Sequence, residues 1–289
     1  MTRVVVLGDV MVDVLARLSG PLAPGSDSPA VIRFHGGGSA ANTAAWLAAA
    51  GGRPVLAGRV GDDDRGRSAR DELRGLGVDA RLGTDPELPT GTCIVLVGPD
   101  GERTMAPDPG ANDALASEDL PDDVLAADGH LHVVGYALLR PGSRPAALEA
   151  IARARASGMT VSVDPSSSAL LSDAFLDDCE EAQLLLPNAS EAHALTGESA
   201  PERAARALAG RVGDVVVKLG PEGALWTNGE EVLRAAAVPV ESAIDSTGAG
   251  DAFAAGLLHT RAAGASTAES LAAACKLAAQ AVATPGARP

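Results

Sequence analysis

The residues best suited to chemistry lie in one stretch, 238–258, where an apolar run leads into Asp-Ser-Thr-Gly-Ala-Gly-Asp. Gly248 and Gly250, on either side of Ala249, let the backbone turn tightly and bring successive N–H groups close to a ligand. An apolar segment without proline follows, and it predicts a helix whose free N–H groups and positive dipole end point at the same place. Such a turn favours an anion, most often phosphate. Asp251, in the first turn, can take a proton from an attacking hydroxyl, so the stretch indicates phosphoryl transfer to an alcohol.

Judged by spacing alone, the same stretch has simpler interpretations. Glycine-rich turns before helices are common, and an aspartate in a first helical turn is more often a cap or a dipole partner than a base. The turn also lacks the third glycine of a dinucleotide-binding fingerprint, because Phe253 stands at that position. The spacing therefore leaves both the catalytic and the structural interpretation open.

The complete string at 245–253, Asp-Ser-Thr-Gly-Ala-Gly-Asp-Ala-Phe, is more specific than its parts. It resembles the C-terminal signature of the ribokinase-like (PfkB) family of carbohydrate and nucleoside kinases. The resemblance implies that Asp251 is the catalytic base. It also implies that the amides of Gly248, Ala249 and Gly250 form an anion hole for the transferred phosphoryl group.

Composition excludes several other classes of function. Apolar residues make up 46% of the 289 positions, but there are only three Phe, two Trp and one Tyr, so the core must consist of closely packed Ala, Val and Leu. The net charge of −15 argues against nucleic acid or an anionic membrane as a partner. Neither lysine, Lys218 or Lys276, follows a glycine, which excludes a Walker A loop.

Cysteine usage and hydropathy predict a cytoplasmic protein. The three cysteines lie far apart without a Cys-x-x-Cys pair, which fits a reducing compartment and argues against disulfides or zinc. The first apolar run is interrupted early by Asp9 and Asp13, so no signal peptide is expected. No run reaches the roughly 20 apolar residues of a membrane span.

The pattern of apolar runs predicts an α/β fold with a central, mostly parallel sheet flanked by helices on both faces. Strands are expected at 4–7, 53–58, 130–134, 159–163, 183–186 and 215–219, and helices at 43–50, 64–76, 144–156, 169–178, 190–195, 201–209, 252–263 and 267–283. Short strands at 10–18, 30–34, 92–97 and 102–105 predict a small antiparallel sheet. The resemblance implies that this sheet is a lid over the sugar, able to mediate a homodimer. The predicted main domain comprises 1–12, 38–87 and 109–289, and the lid comprises 13–37 and 88–108.

A second motif, at 36–42, has the sequence Gly-Gly-Gly-Ser-Ala-Ala-Asn. Three glycines allow close backbone approach to something bound, although a plain loop with Asn42 near a helix cap is the simpler interpretation. The motif resembles the family's N-terminal Gly-Gly motif, whose Asn contacts substrate hydroxyls. Arg103 can point either at the substrate or at solvent. On this resemblance, the predicted substrate-binding residues are Asp13, Gly37, Gly38, Asn42, Arg103 and Asn112.

Candidate nucleotide-binding residues follow predicted strands further along the chain. Asn188 and Glu191 have the spacing of a helix capping box, but in the family this Asn-x-x-Glu motif helps to position Mg²⁺ through water. Residues 218–223 resemble the family's ATP-binding segment, where Lys218 either approaches the phosphates or is an ordinary charge at a strand end. The predicted ATP-binding set is Asn188, Lys218, Gly220, Gly223 and Thr247.

Together these features predict an ATP- and Mg²⁺-dependent kinase acting on a small, sugar-like molecule. A nucleoside kinase of the same family, or a sugar-binding protein that kept the fold without catalysis, is the alternative. In the family, Asp245 can contribute to a monovalent cation site. Only Arg288 and Pro289 follow Gly286-Ala287 here, so activation by K⁺ is in doubt.

Overall fold

The computed structural model describes residues 2–289, which form thirteen strands and nine α-helices. The strands are β1 (Val4–Leu7), β2 (Met11–Leu18), β3 (Ala30–Gly37), β4 (Val55–Gly61), β5 (Asp79–Asp85), β6 (Gly91–Val97), β7 (Arg103–Asp108), β8 (His130–Val134), β9 (Thr160–Asp164), β10 (Leu184–Leu185), β11 (Asp214–Lys218), β12 (Ala224–Thr227) and β13 (Val232–Ala235). The helices are α1 (Ser39–Ala49), α2 (Asp64–Gly75), α3 (Tyr136–Leu139), α4 (Arg144–Ala156), α5 (Ala174–Asp178), α6 (Ala189–Thr196), α7 (Pro201–Val212), α8 (Ala249–Ala262) and α9 (Thr267–Val282).

Nine strands form one sheet in the order β13-β12-β11-β10-β9-β8-β1-β4-β5. All neighbours from β5 to β11 pair in parallel, and only the edge strands β12 and β13 pair antiparallel. The predicted, mostly parallel sheet is therefore confirmed. The chain first adds β4 and β5 on one side of β1 and then crosses to its other side, so the carboxyl ends of β1 and β8 flank the crevice where such sheets bind ligands.

Helices cover both faces of this sheet, as predicted. Successive side chains of a strand point to opposite faces, so Val4 and Val6 of β1 lie in one buried cluster and Val5 and Leu7 in another. The first cluster includes residues of α1, α2, α8 and α9, and the second includes residues of α4 to α7. Ala, Val and Leu supply most of both clusters, which agrees with the low aromatic content.

The four remaining strands form a small sheet in the order β3-β2-β6-β7, called the lid below. The prediction of a separate small sheet is confirmed, but its all-antiparallel pairing was wrong because β2 and β6 run parallel. The long connection between β2 and β6 passes through the large sheet, which frees the two strands from hairpin geometry. The proposed domain boundaries stay a prediction.

The strands β5, β12 and β13 and the short helix α3 were not predicted, and one predicted helix is shorter in the structure. The strand β5 alternates polar and apolar residues only over 79–82, and β12 and β13 have four residues each, so the period-2 signal of all three strands is short. The helix predicted at 169–178 is shorter, comprising only Ala174–Asp178 after a 3-10 turn at Ser168–Leu170. Serines and an aspartate in this segment favour local hydrogen bonds over a continuous helix.

Asn112 joins the lid to the large sheet. Its buried side chain accepts a hydrogen bond from the Val10 N–H at 2.8 Å and donates to the carbonyls of Val10 and Pro109 at 3.0 and 2.8 Å. These bonds hold the chain leaving β1 against the chain returning from β7. The predicted contact of Asn112 with substrate stays a prediction. No helix within residues 2–289 is both long and apolar enough to cross a membrane.

Candidate active site

The turn before α8 presents free backbone donors. Gly248 is the N-cap of α8 and has a left-handed φ of 76°, and a Cβ there would collide with the backbone of Ala287. The Ala249 N–H donates to the Ser246 carbonyl at 3.3 Å. The N–H groups of Gly248, Gly250 and Asp251 donate to no group within residues 2–289. The helix dipole adds positive potential at this point, so the turn has the geometry of an anion site.

Asp251 lies between the first turns of two helices. One of its oxygens, Oδ1, accepts a hydrogen bond from Ser39 Oγ at 2.5 Å, and Oδ2 accepts one from Asn42 Nδ2 at 2.9 Å. Burial raises the pKa of Asp251 to about 7, against these hydrogen bonds, while Asp164 and Asp9 raise it further. Near neutral pH this carboxylate is therefore poised to accept a proton.

The glycine run at 36–38 is packed against the protein's own side chains. A Cβ at Gly37 would collide with the Asp13 carboxylate, and a Cβ at Gly36 would collide with the guanidinium of Arg288. Gly38 has a φ of 92°, and a Cβ there would lie 2.6 Å from the Asp9 carbonyl oxygen. At two positions, therefore, the missing Cβ makes room for side chains of this chain, and the approach of these glycines to a bound molecule stays a prediction.

Asp13 lies on the face of β2 that is turned toward the large sheet. Burial raises the pKa of Asp13 to about 6; the Arg288 charge lowers it and the Asp9 charge raises it. Asp9 follows β1, and its Oδ1 accepts a hydrogen bond from the Ala40 N–H at 3.2 Å, which holds the start of α1. Carboxylates from β1, β2 and α8 therefore converge at one edge of the sheet.

Arg288, which the sequence did not single out, reaches this cluster. Its Nε donates to Asn42 Oδ1 at 3.1 Å, Nη1 to Glu72 Oε1 at 2.9 Å, and Nη2 to the Gly37 carbonyl at 2.6 Å. Its side chain is only 5% exposed. Neither motif nor spacing marks this arginine in the sequence, because its partners lie more than 200 residues away.

Lys218 brings a positive charge to the same edge. Its Nζ forms an ion pair with Asp164 Oδ2 at 2.5 Å, and it lies 3.7 Å from the point that a Cβ of Gly250 would occupy. Burial disfavours the charged form of Lys218 and lowers its pKa, but the Asp164 and Glu191 charges outweigh burial, so the pKa is raised. The cation is therefore held beside the free amides before α8.

Asn188 and Glu191 form the capping box of α6. Asn188 Oδ1 accepts from the Glu191 N–H at 2.9 Å, and Glu191 Oε2 accepts from the Asn188 N–H at 2.8 Å. Glu191 is buried, which raises its pKa against the charge of Lys218. Its second oxygen, Oε1, accepts no hydrogen bond in the described part of the chain, so the cap leaves it available for a further ligand.

The two glycines after β11 lie in different surroundings. Gly223, with a φ of 92°, is packed against the backbone between Ala235 and Ala237, whereas Gly220, with a φ of 58°, faces open space. Gly223 is thus required by the turn itself, and Gly220 lies where a ligand can approach. Their contact with a nucleotide stays a prediction.

Arg103 of β7 contacts the turn that precedes the anion site. Its guanidinium donates to Asp245 Oδ1 at 2.6 Å and to the Thr247 hydroxyl. Asp245 Oδ1 also accepts from the Thr247 N–H at 2.8 Å. Burial raises the pKa of Asp245, but these hydrogen bonds and the Arg103 charge outweigh burial and hold the pKa below its usual value. Arg103 therefore points at this turn, and its predicted contact with substrate stays a prediction.

A family model decides the identity of the chain. The model described as "pfkB family carbohydrate kinase" matches residues 1–289. The chain belongs to this family. Because the family and its named relatives are kinases, this kinase is a phosphotransferase that uses an alcohol group as the acceptor.

Named relatives of this kinase cover nearly its whole length. An ATP-dependent ribose-1-phosphate kinase from Halopiger xanaduensis is 35% identical over 263 residues, covering 90% of this chain and 85% of the relative. The structure of adenosine kinase from Sinorhizobium meliloti is 30% identical with a TM-score of 0.90, covering 100% of this chain and 96% of that one. Fructokinase from Vibrio cholerae, solved with fructose, ADP and calcium ion, is 30% identical with a TM-score of 0.83, covering 99% and 94%.

The left-handed conformation and close packing of Gly248 predict that this kinase requires glycine at this position. We expect Gly248→Ala to lower the free energy of unfolding by about 3 kcal/mol, because the methyl group adds a clash with the Ala287 backbone to the left-handed strain. Urea denaturation measures the change.

Gly264 provides a matched control. It has a similar φ of 83° but open space around its Cβ position. Gly264→Ala should therefore cost only about 1 kcal/mol, the left-handed strain alone. Equal losses in the two variants would show that packing against Ala287 does not constrain the turn.

Proposed function

We propose that this protein transfers the γ-phosphate of ATP to a hydroxyl group of a sugar or sugar-like molecule, with Asp251 as the general base. The observation that carries the proposal is the position of the Asp251 carboxylate, held by Ser39 and Asn42 directly beside the free N–H groups of Gly248 and Gly250. A base and an anion site at one helix end are the two parts that phosphoryl transfer to an alcohol requires.

In the proposed reaction, the acceptor hydroxyl oxygen forms a bond to the γ-phosphorus, and the bond to the bridging oxygen of ADP breaks. The electron pair of that bond leaves with ADP, and the hydroxyl proton passes to Asp251. The amides of Gly248, Ala249 and Gly250 stabilise the charge on the transferred group, with the Ala249 N–H released from its long bond to Ser246. Lys218, which lies beside Gly250, adds a positive charge.

The acceptor is proposed to bind between the lid and the large sheet, where Asp13, Gly37, Gly38 and Asn42 converge. A carboxylate and an amide in this position can accept from and donate to adjacent hydroxyl groups. The lid then excludes water, which otherwise competes for the phosphoryl group.

A sugar is favoured over a nucleoside because the lid presents no Phe, Tyr or Trp side chain to this space. Phe34 points to the opposite face of the lid and is 65% exposed. The relatives include both sugar and nucleoside kinases, so the acceptor class is tested directly. ADP release should be measured with pentoses, hexoses, sugar acids, sugar phosphates and nucleosides. Turnover of nucleosides alone would reverse the assignment.

The nucleotide is proposed to lie along the carboxyl ends of the strands beyond β8, with its phosphates toward the turn before α8. Asn188, Lys218, Gly220, Gly223 and Thr247 are its candidate contacts. Within residues 2–289 no three His, Cys, Asp or Glu side chains are grouped as a metal site. Glu191 nevertheless offers a free oxygen, which fits Mg²⁺ held mainly by phosphate and water. When bound, the ion neutralises phosphate charge.

The role of Asp251 predicts the behaviour of its amide variant. We expect Asp251→Asn to lower kcat about a thousandfold, because an amide cannot take the hydroxyl proton, while the KM for ATP changes little. The wild-type kcat should rise as pH increases through about 7, where the buried carboxylate becomes ionised. The variant should lose this limb of the pH profile. An ADP-coupled assay at several pH values measures both, and near-normal turnover of the variant would refute the proposal.

The contacts of Asp245 argue against a monovalent cation in this kinase. The Arg103 guanidinium already supplies a positive charge at Oδ1, and Oδ2 accepts from the Gly286 N–H at 3.3 Å. These residues do not fit a site for K⁺. We expect kcat to be the same in K⁺, Na⁺ or choline at equal ionic strength. Strong activation by K⁺ alone would show that the cation displaces or joins Arg103.

The outer face of the lid supports a homodimer. It exposes one row of apolar side chains across three strands, Phe34, Val14 and Ile94, and a second row beside it that includes Ile32. Apolar patches of this kind on a sheet are typical of protein interfaces, and a second copy of this lid is the proposed partner.

We expect light scattering to give a dimer for the wild type and a monomer for Phe34→Asp, because a charge in the middle of the patch prevents its burial. Leu170→Asp is a control at a site of similar exposure, 55%, outside the lid. A dimer in both variants, or a monomeric wild type, would refute the proposed interface.

A further inference from the structure

Arg288 is buried near the proposed base, with Asn42 between them, and the reaction described above does not explain it. Three of its donors are used, by Asn42 Oδ1, Glu72 Oε1 and the Gly37 carbonyl. Glu72 on α2 balances its charge. An arginine with these partners and 5% exposure is poorly suited to bind an anionic acceptor, because most of its donors are already engaged.

The contact with Asn42 has a consequence for Asp251. An asparagine amide has a donor end and an acceptor end, whereas a guanidinium only donates and a carboxylate only accepts. With Arg288 Nε at the acceptor end of Asn42, the amide NH₂ must face Asp251 Oδ2, as it does at 2.9 Å. The same guanidinium holds the Gly37 carbonyl at 2.6 Å, just before α1 begins. Arg288 therefore constrains both the orientation of Asn42 and the position of the helix that carries it.

The packing around Gly36 is a second observation that supports a role for Arg288. Gly36 lacks the Cβ that would collide with the Arg288 guanidinium and with Glu72 Oε1 at 2.6 Å. The motif at 36–42 therefore leaves room for the arginine at its first position and places the amide that the arginine orients at its last position. One motif therefore contains both the glycine that makes room for Arg288, Gly36, and the amide that Arg288 orients, Asn42.

We propose that Arg288 is a positioning residue for phosphoryl transfer, and that it acts through Asn42 by fixing the amide that donates to Asp251. The inference rests on the proposed function, in which Asp251 is the base. Asp251 is also faced by polar and titratable groups from five other elements: Ser39 on α1, Asp9 after β1, Tyr136 on α3, Asp164 after β9 and Lys218 at the end of β11. Among the described residues that face Asp251, only Asn42 contacts Arg288.

A double-mutant cycle on kcat tests the proposal. Arg288→Ala should lower kcat about tenfold or more, because Asn42 loses its fixed orientation and the base its alignment, with little change in the KM for ATP. In an Asn42→Ala background, adding Arg288→Ala should change kcat by less than about twofold, because the intermediary is already absent. Losses that simply multiply would show that Arg288 acts independently of Asn42 and would overturn the proposal.

The pH profile gives a second readout that a merely structural role would not move. The Asn42 hydrogen bond stabilises ionised Asp251, so its loss raises the pKa of the base. The acid limb of kcat should therefore shift to higher pH in Arg288→Ala, by about half a pH unit or more. An unshifted limb in a folded variant contradicts the proposal.

Controls separate this inference from simple unfolding and from failure of the proposed function. Circular dichroism checks folding, and the cycle is run with Arg288→Lys, which keeps the charge and stem, if Arg288→Ala does not fold. Arg74→Ala, which removes an arginine that is 60% exposed on α2, should leave kcat unchanged. An inactive Asp251→Asn with a normal Arg288→Ala would overturn this inference alone, whereas an active Asp251→Asn would overturn both.

Discussion

The site depends on keeping the carboxyl group of Asp251 ionised although it is buried and largely shielded from water. Burial alone would keep Asp251 protonated, and a protonated acid cannot act as a base. Two hydrogen bonds from α1 and the dipole of α8 oppose this effect, and the resulting pKa near 7 leaves the group half ionised at neutral pH. Because Ser39 and Asn42 belong to one helix and Asp251 to another, this balance holds only if the two helices pack in a fixed relation. The sheet and its two cores provide that relation.

Glycine marks the positions where this packing is tightest. The turn before α8 and the run before α1 both place backbone against groups that leave no room for a Cβ, and the left-handed φ values of Gly38 and Gly248 add a second reason for glycine. At Gly36 and Gly37 the neighbours are Arg288 and Asp13, so these glycines shape the protein's own site before any ligand arrives. A glycine-rich motif can thus indicate preorganisation as well as contact with a substrate.

The sequence predicted the parts of the molecule that depend on local pattern. Apolar runs separated by helices indicated the parallel sheet, and the string that contains Asp251 indicated a tight turn followed by a helix. Pairing between distant segments could not be read in the same way: the parallel contact of β2 with β6 and the short edge strands have no local signal. The same limit explains why the partners of Arg103 and Arg288 were not predicted, since they lie 142 to 251 residues away along the chain.

The electrostatics of the crevice explain why a cation and a nucleotide should enter together. Asp9, Asp164, Asp251 and Glu191 already lie near one another, and Lys218 is the nearby cation that offsets them. Polyphosphate entering alone would add negative charge to this cluster and would be opposed, whereas Mg²⁺-bound polyphosphate carries less of that charge. Any negative charge that remains raises the pKa of Asp251 further, which makes the ionised form a stronger proton acceptor but leaves a smaller fraction of it ionised at neutral pH. In the proposed reaction, the metal ion therefore has two effects: it lets the phosphates approach these carboxylates, and it limits the rise in the pKa of Asp251, so that the base stays ionised enough to accept the proton.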